Sequence, residues 1–201
     1  GVVTAIAARN RTGEGQYVEA SLNNSLISLM AFLSAEYFAT GKPPARSGNN
    51  HAIVAPYGMF KAKDGAIAVA PSNETYAIRF LDAVGLGELM DDDRFRTNAD
   101  RMRNRTELLV IIDAATEKET VDHWIETINA AGCPCGRVMT LDEVFDDPQV
   151  RATEMVLDVD HGDHGSIRMT GFPVKMSKTP TRIHRPAPDL GQHNNEFFGE
   201  D

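Results

Sequence analysis

The chain of 201 residues contains only two cysteines, Cys133 and Cys135, with a single residue between them. That spacing does not suit an unstrained disulfide, whose Cβ atoms must face each other, and it is no secreted disulfide framework. No apolar run approaches the ~18–20 residues that a membrane-spanning helix needs. No cationic stretch followed by an apolar one marks a secretory signal. Positive charge is also short: 20 Lys and Arg face 29 Asp and Glu, a formal net charge of -9. That is the wrong sign for non-specific attraction to phosphates. The expectation is a soluble, cytoplasmic protein that binds neither nucleic acid nor membrane.

What is present is an ordinary globular composition, 42% hydrophobic and 24% charged, enough to bury a core. Val2, Val3, Ile6 and Ala7 recur at helical spacing, Arg9 and Arg11 follow, and Gly13 and Gly15 stop the run. This reads as the end of a helix with cations at its C-terminus. No N-cap candidate precedes Val2, so Gly1 is expected to lie inside a longer sequence. Tyr17 to Leu22 alternates at period two and is predicted to be a short strand. A second helix is predicted from a cap at Asn23 or Asn24, along Leu26, Leu29, Met30 and Leu33, to about Gly41.

The stretch from Lys42 to Ala55 has two prolines and a glycine and reads as a linker. Beyond it, Asp64-Gly65 between Tyr57–Lys61 and Ala66–Ala70 predicts a hairpin. Three helical faces follow: Tyr76, Phe80, Leu81 and Val84; then Leu108, Leu109, Ile111 and Ile112 behind the polar run Asn98 to Glu107; then Val121, Trp124, Ile125 and Ile128, capped by Thr120 and ended by Gly132. A strand is predicted at Gly136–Met139. Two helical turns come next, T-L-D-E-V-F and D-P-Q-V-R-A, with Thr140 and Glu143 as a capping box. Strands at Met155–Val159 and Ser166–Thr170 flank H-G-D-H-G. An extended tail then holds a second linker at Thr179–Pro188, and a last helical turn spans Asn194 to Glu200.

Several chemistries can be weighed on these residues. G-E-G at Gly13–Gly15 lies between helix and strand, whereas a phosphate loop runs from strand to glycines to helix N-terminus; a turn is the better reading. Cys133, Cys135, His123, His161 and His164 do not have zinc spacing, and no metal is expected. Cys135 as a nucleophile would need a base or cation beside it, and only Arg137 is near in sequence. No G-x-S-x-G elbow occurs. Asp91 to Asp93, mixed with Arg94 and Arg96, reads as a helix N-terminus or solvated face. The stretch S-G-N-N-H-A-I-V-A-P-Y-G is different: small residues, two amides and an imidazole could close over a reactive ligand.

Six blocks carry a resemblance. They are R-T-G-E-G-Q-Y-V-E-A-S-L, G-N-N-H-A-I-V-A-P-Y-G-M-F-K-A-K-D-G, D-D-D-R-F-R-T-N-A-D-R-M-R-N-R, L-D-E-V-F-D-D-P-Q-V-R-A, P-V-K-M-S-K-T-P and P-A-P-D-L-G-Q-H. In this order, from Arg11 to His193, they resemble the class III coenzyme A transferases of the CaiB/BaiF type. That family includes formyl-CoA transferase, carnitine CoA-transferase and α-methylacyl-CoA racemase. Its members are about twice this length, so the chain resembles their C-terminal half.

The resemblance implies a mixed α/β fold in which a Rossmann-like large domain and a small α+β domain belong to an interlocked homodimer. Residues 1–40 would be C-terminal elements of the large CoA-binding domain, 41–56 a linker and active-site loop, 57–175 the small domain, and 176–201 a tail returning to the large domain. It also implies transfer of CoA between an acyl-CoA and a carboxylic acid through an aspartyl-CoA intermediate. No aspartate here matches the family's catalytic one, so that residue is expected upstream of Gly1, in the missing N-terminal half. Coenzyme A and its thioesters would be substrates, with no covalently bound cofactor. The loop at Gly48–Gly58 lacks the glycine-rich sequence of formyl-CoA transferase, which argues against that specificity. Asn49, Asn50, His51 and Tyr57 are the candidates to contact the acyl end. Two other readings stand beside this one: a racemase that exchanges an α-proton, and a non-catalytic half that binds a partner.

Overall fold

The computed structural model describes residues 1–199. By its internal contacts the chain divides into two units, one spanning Gly1–Gly136 and the other beginning at Arg137. Each is mixed α/β.

The first unit opens with helix α1 (Val2–Thr12). It ends where expected: Gly13 takes φ 77°, and its N–H donates to the Arg9 carbonyl. That left-handed position is one a Cβ would strain, which is why glycine closes the helix. The predicted strand at Tyr17–Leu22 does not form. Among the described residues no strand lies beside it to complete a ladder, and extended backbone without a ladder partner is not a sheet. Instead Gly15, Gln16 and Val18 share a small cavity with Val2, Ala5 and Ile6 of α1.

The helix predicted next is two helices, α2 (Leu22–Leu29) and α3 (Ala31–Thr40). The break falls at Ala31, whose φ of 40° leaves the right-handed helical region. Nothing in the residue types at the break announces it. The cap also differs from expectation: the Ser21 side chain, rather than that of Asn23 or Asn24, accepts from the Asn24 N–H. Gly41 ends α3 as read from the sequence, and residues 42–57 then form no helix or strand.

The core of this unit is a three-stranded sheet covered by helices. Strands β1 (Gly58–Ala62) and β2 (Gly65–Val69) pair antiparallel with Ala62 opposite Gly65. The hairpin turn is therefore Lys63-Asp64, one residue earlier than predicted. The Asp64 carboxylate is drawn off to accept from the Val121 N–H at 2.8 Å. Strand β3 (Cys135–Arg137) joins beside β2 and starts a residue before the predicted strand and ends two before it. Asn129 sets that start, since its amide exchanges two hydrogen bonds with the Cys135 backbone, 2.9 and 3.1 Å.

Helices α4 (Glu74–Ala83), α6 (Arg105–Thr116) and α7 (Val121–Ala130) bury Phe80, Leu81, Leu108, Ile112, Trp124 and Ile128 against Phe60, Ile67 and Val69. These are the faces the 3.6-residue period picked out. Thr120 caps α7 as expected. The polar run contributes a helix of its own, α5 (Asn98–Arg103), with a capping box between Thr97 and Asp100. Asp91 to Asp93 are not a helix N-terminus. They close a 3-10 turn, Gly87–Asp91, and pair in solvent: Asp92 with Arg94 and Asp93 with Arg96.

The second unit follows the sequence closely. Helices α8 (Leu141–Asp146) and α9 (Pro148–Ala152) form, the first with its Thr140–Glu143 capping box. Strands β4 (Val156–Asp160) and β5 (Ser166–Thr170) make an antiparallel pair. The tail is irregular until α10 (Asn194–Phe198); Glu200, the end of the predicted last turn, lies outside the described residues.

Candidate functional site

The loop from Ser47 to Gly58 is held chiefly through hydrogen bonds to its backbone. The His51 N–H donates to the Tyr57 carbonyl at 2.8 Å and closes the loop. Arg105, at the start of α6, donates from Nη1 to the His51 carbonyl at 3.0 Å. Further along, the Asn98 amide works twice: Oδ1 accepts from the Ala55 N–H at 3.0 Å, and Nδ2 donates to the Ile53 carbonyl at 2.9 Å. Arg101 donates from Nε to the Ala55 carbonyl at 2.7 Å.

Arg101 is the least expected part of this arrangement. It is only 1% exposed, and a buried cation survives only if its donors are used. All three of its nitrogens are. Besides Ala55, Nη1 meets the Phe95 carbonyl at 3.0 Å, and the fork grips both carboxylate oxygens of Glu74, 3.0 and 2.7 Å. The bidentate geometry is one that only a guanidinium offers. The segment Ile53–Pro56 is thereby fastened to the helical part of the unit.

Three of the four candidate residues gather at the other end of the loop. The His51 ring lies between two others. It stacks on Tyr57 with centroids 4.8 Å apart and 20° between planes, and on Phe32 of α3 at 5.4 Å and 12°. Its Nδ1 accepts from the Ile53 N–H at 3.3 Å. A neutral ring so held carries its proton on Nε2, the remaining donor. Asn50 lies beside Gly58, where a Cβ would come within 2.4 Å of Asn50 Oδ1; only glycine permits that approach. That oxygen is buried and has no hydrogen-bond partner among the described residues. Asn49 is exposed, and its carbonyl oxygen also lies close against Gly58.

Phe32, Asn98, Arg101 and Arg105 escaped the sequence reading. The T-N-A-D of residues 97–100 was a legible helix start. A buried arginine was not, since charge run and charge clamp look alike in sequence.

The other candidate chemistry gathers nowhere. Burial pushes the Cys133 and Cys135 thiols up to about 11, the reverse of an activated thiolate. His123 meets Trp124 edge-on, and His164 Nε2 lies 3.0 Å from Asp189. Among the described residues, no three His, Cys, Asp or Glu side chains converge as a metal group. Nor, among the described residues, is any helix long and apolar enough to cross a membrane.

The chain matches the family described as CoA-transferase family III over residues 1–194. It is 31% identical to a succinate–glutarate CoA-transferase of Agrobacterium fabrum, over 99% of this chain and 50% of that one. It is 33% identical to an acetyl-CoA:oxalate CoA-transferase of Acetobacter aceti, over 96% and 48%. A crystal structure of a CaiB/BaiF family protein from Brucella suis superposes with a TM-score of 0.74 at 30% identity, covering 97% of this chain and 50% of that one. The chain thus spans about half the length of the curated relatives it matches.

Proposed function

This chain belongs to CoA-transferase family III, and from that premise we propose that it is the C-terminal portion of an enzyme that moves coenzyme A from an acyl-CoA to a carboxylic acid. The nucleophile is an aspartate outside these 201 residues. Its carboxylate attacks the thioester carbonyl and expels CoA thiolate, giving a mixed anhydride. The thiolate attacks the aspartyl carbonyl, which releases the donor acid and leaves an aspartyl-CoA thioester. The acceptor carboxylate attacks that carbonyl and expels the thiolate again; the thiolate then takes the acceptor's acyl group and frees the aspartate.

Every intermediate is an activated acyl group, so water must be kept away. The Ser47–Gly58 loop serves that purpose. His51 carries the reading: its ring is locked between Phe32 and Tyr57 with Nε2–H as the free donor. That N–H stabilises oxygen charge developing on the acyl carbonyl. Asn49, Asn50 and Tyr57 complete the acyl end. The relatives named above are transferases acting on succinate, glutarate or oxalate, which supports transfer over α-proton exchange and points to a dicarboxylic acceptor.

Residues 1–40 belong to the large domain, 41–56 to the linker and active-site loop, 57–175 to the small domain, and 176–201 to the returning tail, within an interlocked homodimer. The test is a transfer assay on the whole protein, with succinyl-CoA and a panel of free acids, quenched and analysed by intact mass. A protein adduct of CoA is expected during turnover. Turnover with no such adduct would sink the covalent route.

A further inference from the structure

Five arginines crowd the segment from Arg94 to Arg105, and four of them are neutralised. Arg94 pairs with Asp92 and Glu107, Arg96 with Asp93, Arg101 with Glu74 and Arg103 with Asp100. Arg105 meets no carboxylate among the described residues. Its hydrogen bond is to the main chain, from Nη1 to the His51 carbonyl at 3.0 Å. The helix it belongs to does not account for it. Arg105 is the first residue of α6, behind an N-cap that makes no side-chain capping bond. A cation there opposes the positive end of the helix dipole, where an acidic residue would stabilise. What the position offers is reach to the loop. Asn98, Arg101 and Arg105 follow one another at steps of three and four, the spacing of one helical face. Each meets loop backbone: Asn98 at Ile53 and Ala55, Arg101 at Ala55, Arg105 at His51. Of the three, only Arg105 reaches the half of the loop that carries Asn49, Asn50 and His51.

At His51 the backbone is thus pinned on both sides. Its N–H donates to the Tyr57 carbonyl at 2.8 Å, and its carbonyl accepts from Arg105. The ring has less to hold it. The stack on Tyr57 sets the plane of the imidazole, but stacked rings slide and turn within their plane at little cost. The bond from the Ile53 N–H to Nδ1 is long, at 3.3 Å. The direction of Nε2–H therefore follows from where the His51 backbone stands. We propose that Arg105 is a positioning residue for acyl transfer: by holding the His51 carbonyl it aims Nε2–H, without itself touching the substrate. The assignment rests on the reading that this N–H serves the acyl carbonyl. A single donor is enough for the task, so lysine can stand in here, whereas at Arg101 it cannot reproduce the fork.

The whole protein, carrying carbon-13-labelled histidine, gives a test that needs no turnover. The His51 ring signal in the NMR spectrum is the one absent from His51→Phe. It should move or broaden in Arg105→Met and return in Arg105→Lys, with the other ring signals in place. Kinetics gives a second arm. Arg105→Met should lower kcat about tenfold or more and leave KM for the acyl-CoA within about threefold. Arg105→Lys should regain most of that loss. In a His51→Phe background Arg105→Met should cost less than about twofold, because the residue it aims is gone. A ring signal indifferent to Arg105→Met overturns the proposal, as does a full tenfold loss in the His51→Phe background. With His51→Phe impaired, a kcat in Arg105→Met equal to that of the parent overturns it too. If the ring signal moves while His51→Phe keeps the activity of the parent, Arg105 still positions His51, and it is the catalytic reading of His51 that falls.

Discussion

Arg101 and Ala55 lie 46 positions apart, yet the guanidinium Nε of one donates to the carbonyl of the other at 2.7 Å in the dry interior. This bond decides which part of the loop is fixed. From Ile53 to Pro56 the chain is held at both backbone polarities, by Arg101 and by the Asn98 amide. From Ser47 to Ala52 the main ties are the bond from the His51 N–H to the Tyr57 carbonyl, the Arg105 bond and the His51 stack. Any closing motion is confined to that second part, where Asn49, Asn50 and His51 reside.

Arg101→Met should therefore destabilise the first unit by about 3–5 kcal/mol. It strips a donor from the buried carbonyls of Ala55 and Phe95. Arg101→Lys should recover less than half, since an ammonium cannot fork to Glu74 and reach Ala55 together. Glu74→Gln should cost under about 1 kcal/mol, because the Glu74 side chain is 49% exposed and water takes over its role. Urea midpoints order the three. A lysine variant as stable as the parent would show that charge, not fork geometry, holds the loop.

His51→Phe separates packing from chemistry. Phenylalanine keeps the sandwich with Phe32 and Tyr57 and removes Nε2–H, along with the Nδ1 acceptor of the Ile53 N–H, which water replaces at that exposed residue. In the whole enzyme kcat/KM should fall by about 10²-fold, with Tm unchanged. Activity near that of the parent would reduce His51 to a spacer in the stack.

Much of the fold could be read from local pattern, and the exceptions share one physical cause. Val121, Trp124 and Ile128 show their helix by period, and Thr140 with Glu143 shows its cap, because both signals act within one turn. Tyr17 to Leu22 alternates like a strand but has no ladder partner among the described residues, and pairing is not a local property. Ala31 breaks a helix between good helix formers. At the site, the loop drew notice through its composition, but its clamps did not. Asn98, Arg101 and Arg105 act on the loop across 43 to 54 positions, and no local rule reports such a distance.

The two thiols should make the first unit sensitive to alkali. Burial raises both from 9.0 to about 11 in the folded chain, so the fold favours the neutral form. That contribution is intact below pH 9. It is lost as pH rises from about 9 to 11, where the unfolded chain releases protons that the folded one retains. Urea midpoints should drop across that interval more steeply in the parent than in a Cys133→Ala/Cys135→Ala variant. Parallel pH profiles would remove the thiols from the account.

Expressed as these 201 residues alone, the chain should associate. Leu22 is 86% exposed, Leu29 78% and Phe38 81%, with Val2 and Val3 of α1 also open. None of α1, α2 or α3 buries a residue, although α2 and α3 are at least as apolar as the helices of this chain that do pack on the core. Large apolar exposure of this kind marks a surface that something should cover. In the proposed enzyme the cover is the rest of the large domain; without it, a second copy is the nearest substitute. Light scattering at micromolar concentration should report a dimer or larger species. Leu22→Lys/Leu29→Lys should shift the population towards monomer while leaving the Trp124 core signal unchanged. A clean monomer of the parent chain at that concentration would mean that these helices need no cover, and the assignment of residues 1–40 to a larger domain would lose its physical motive.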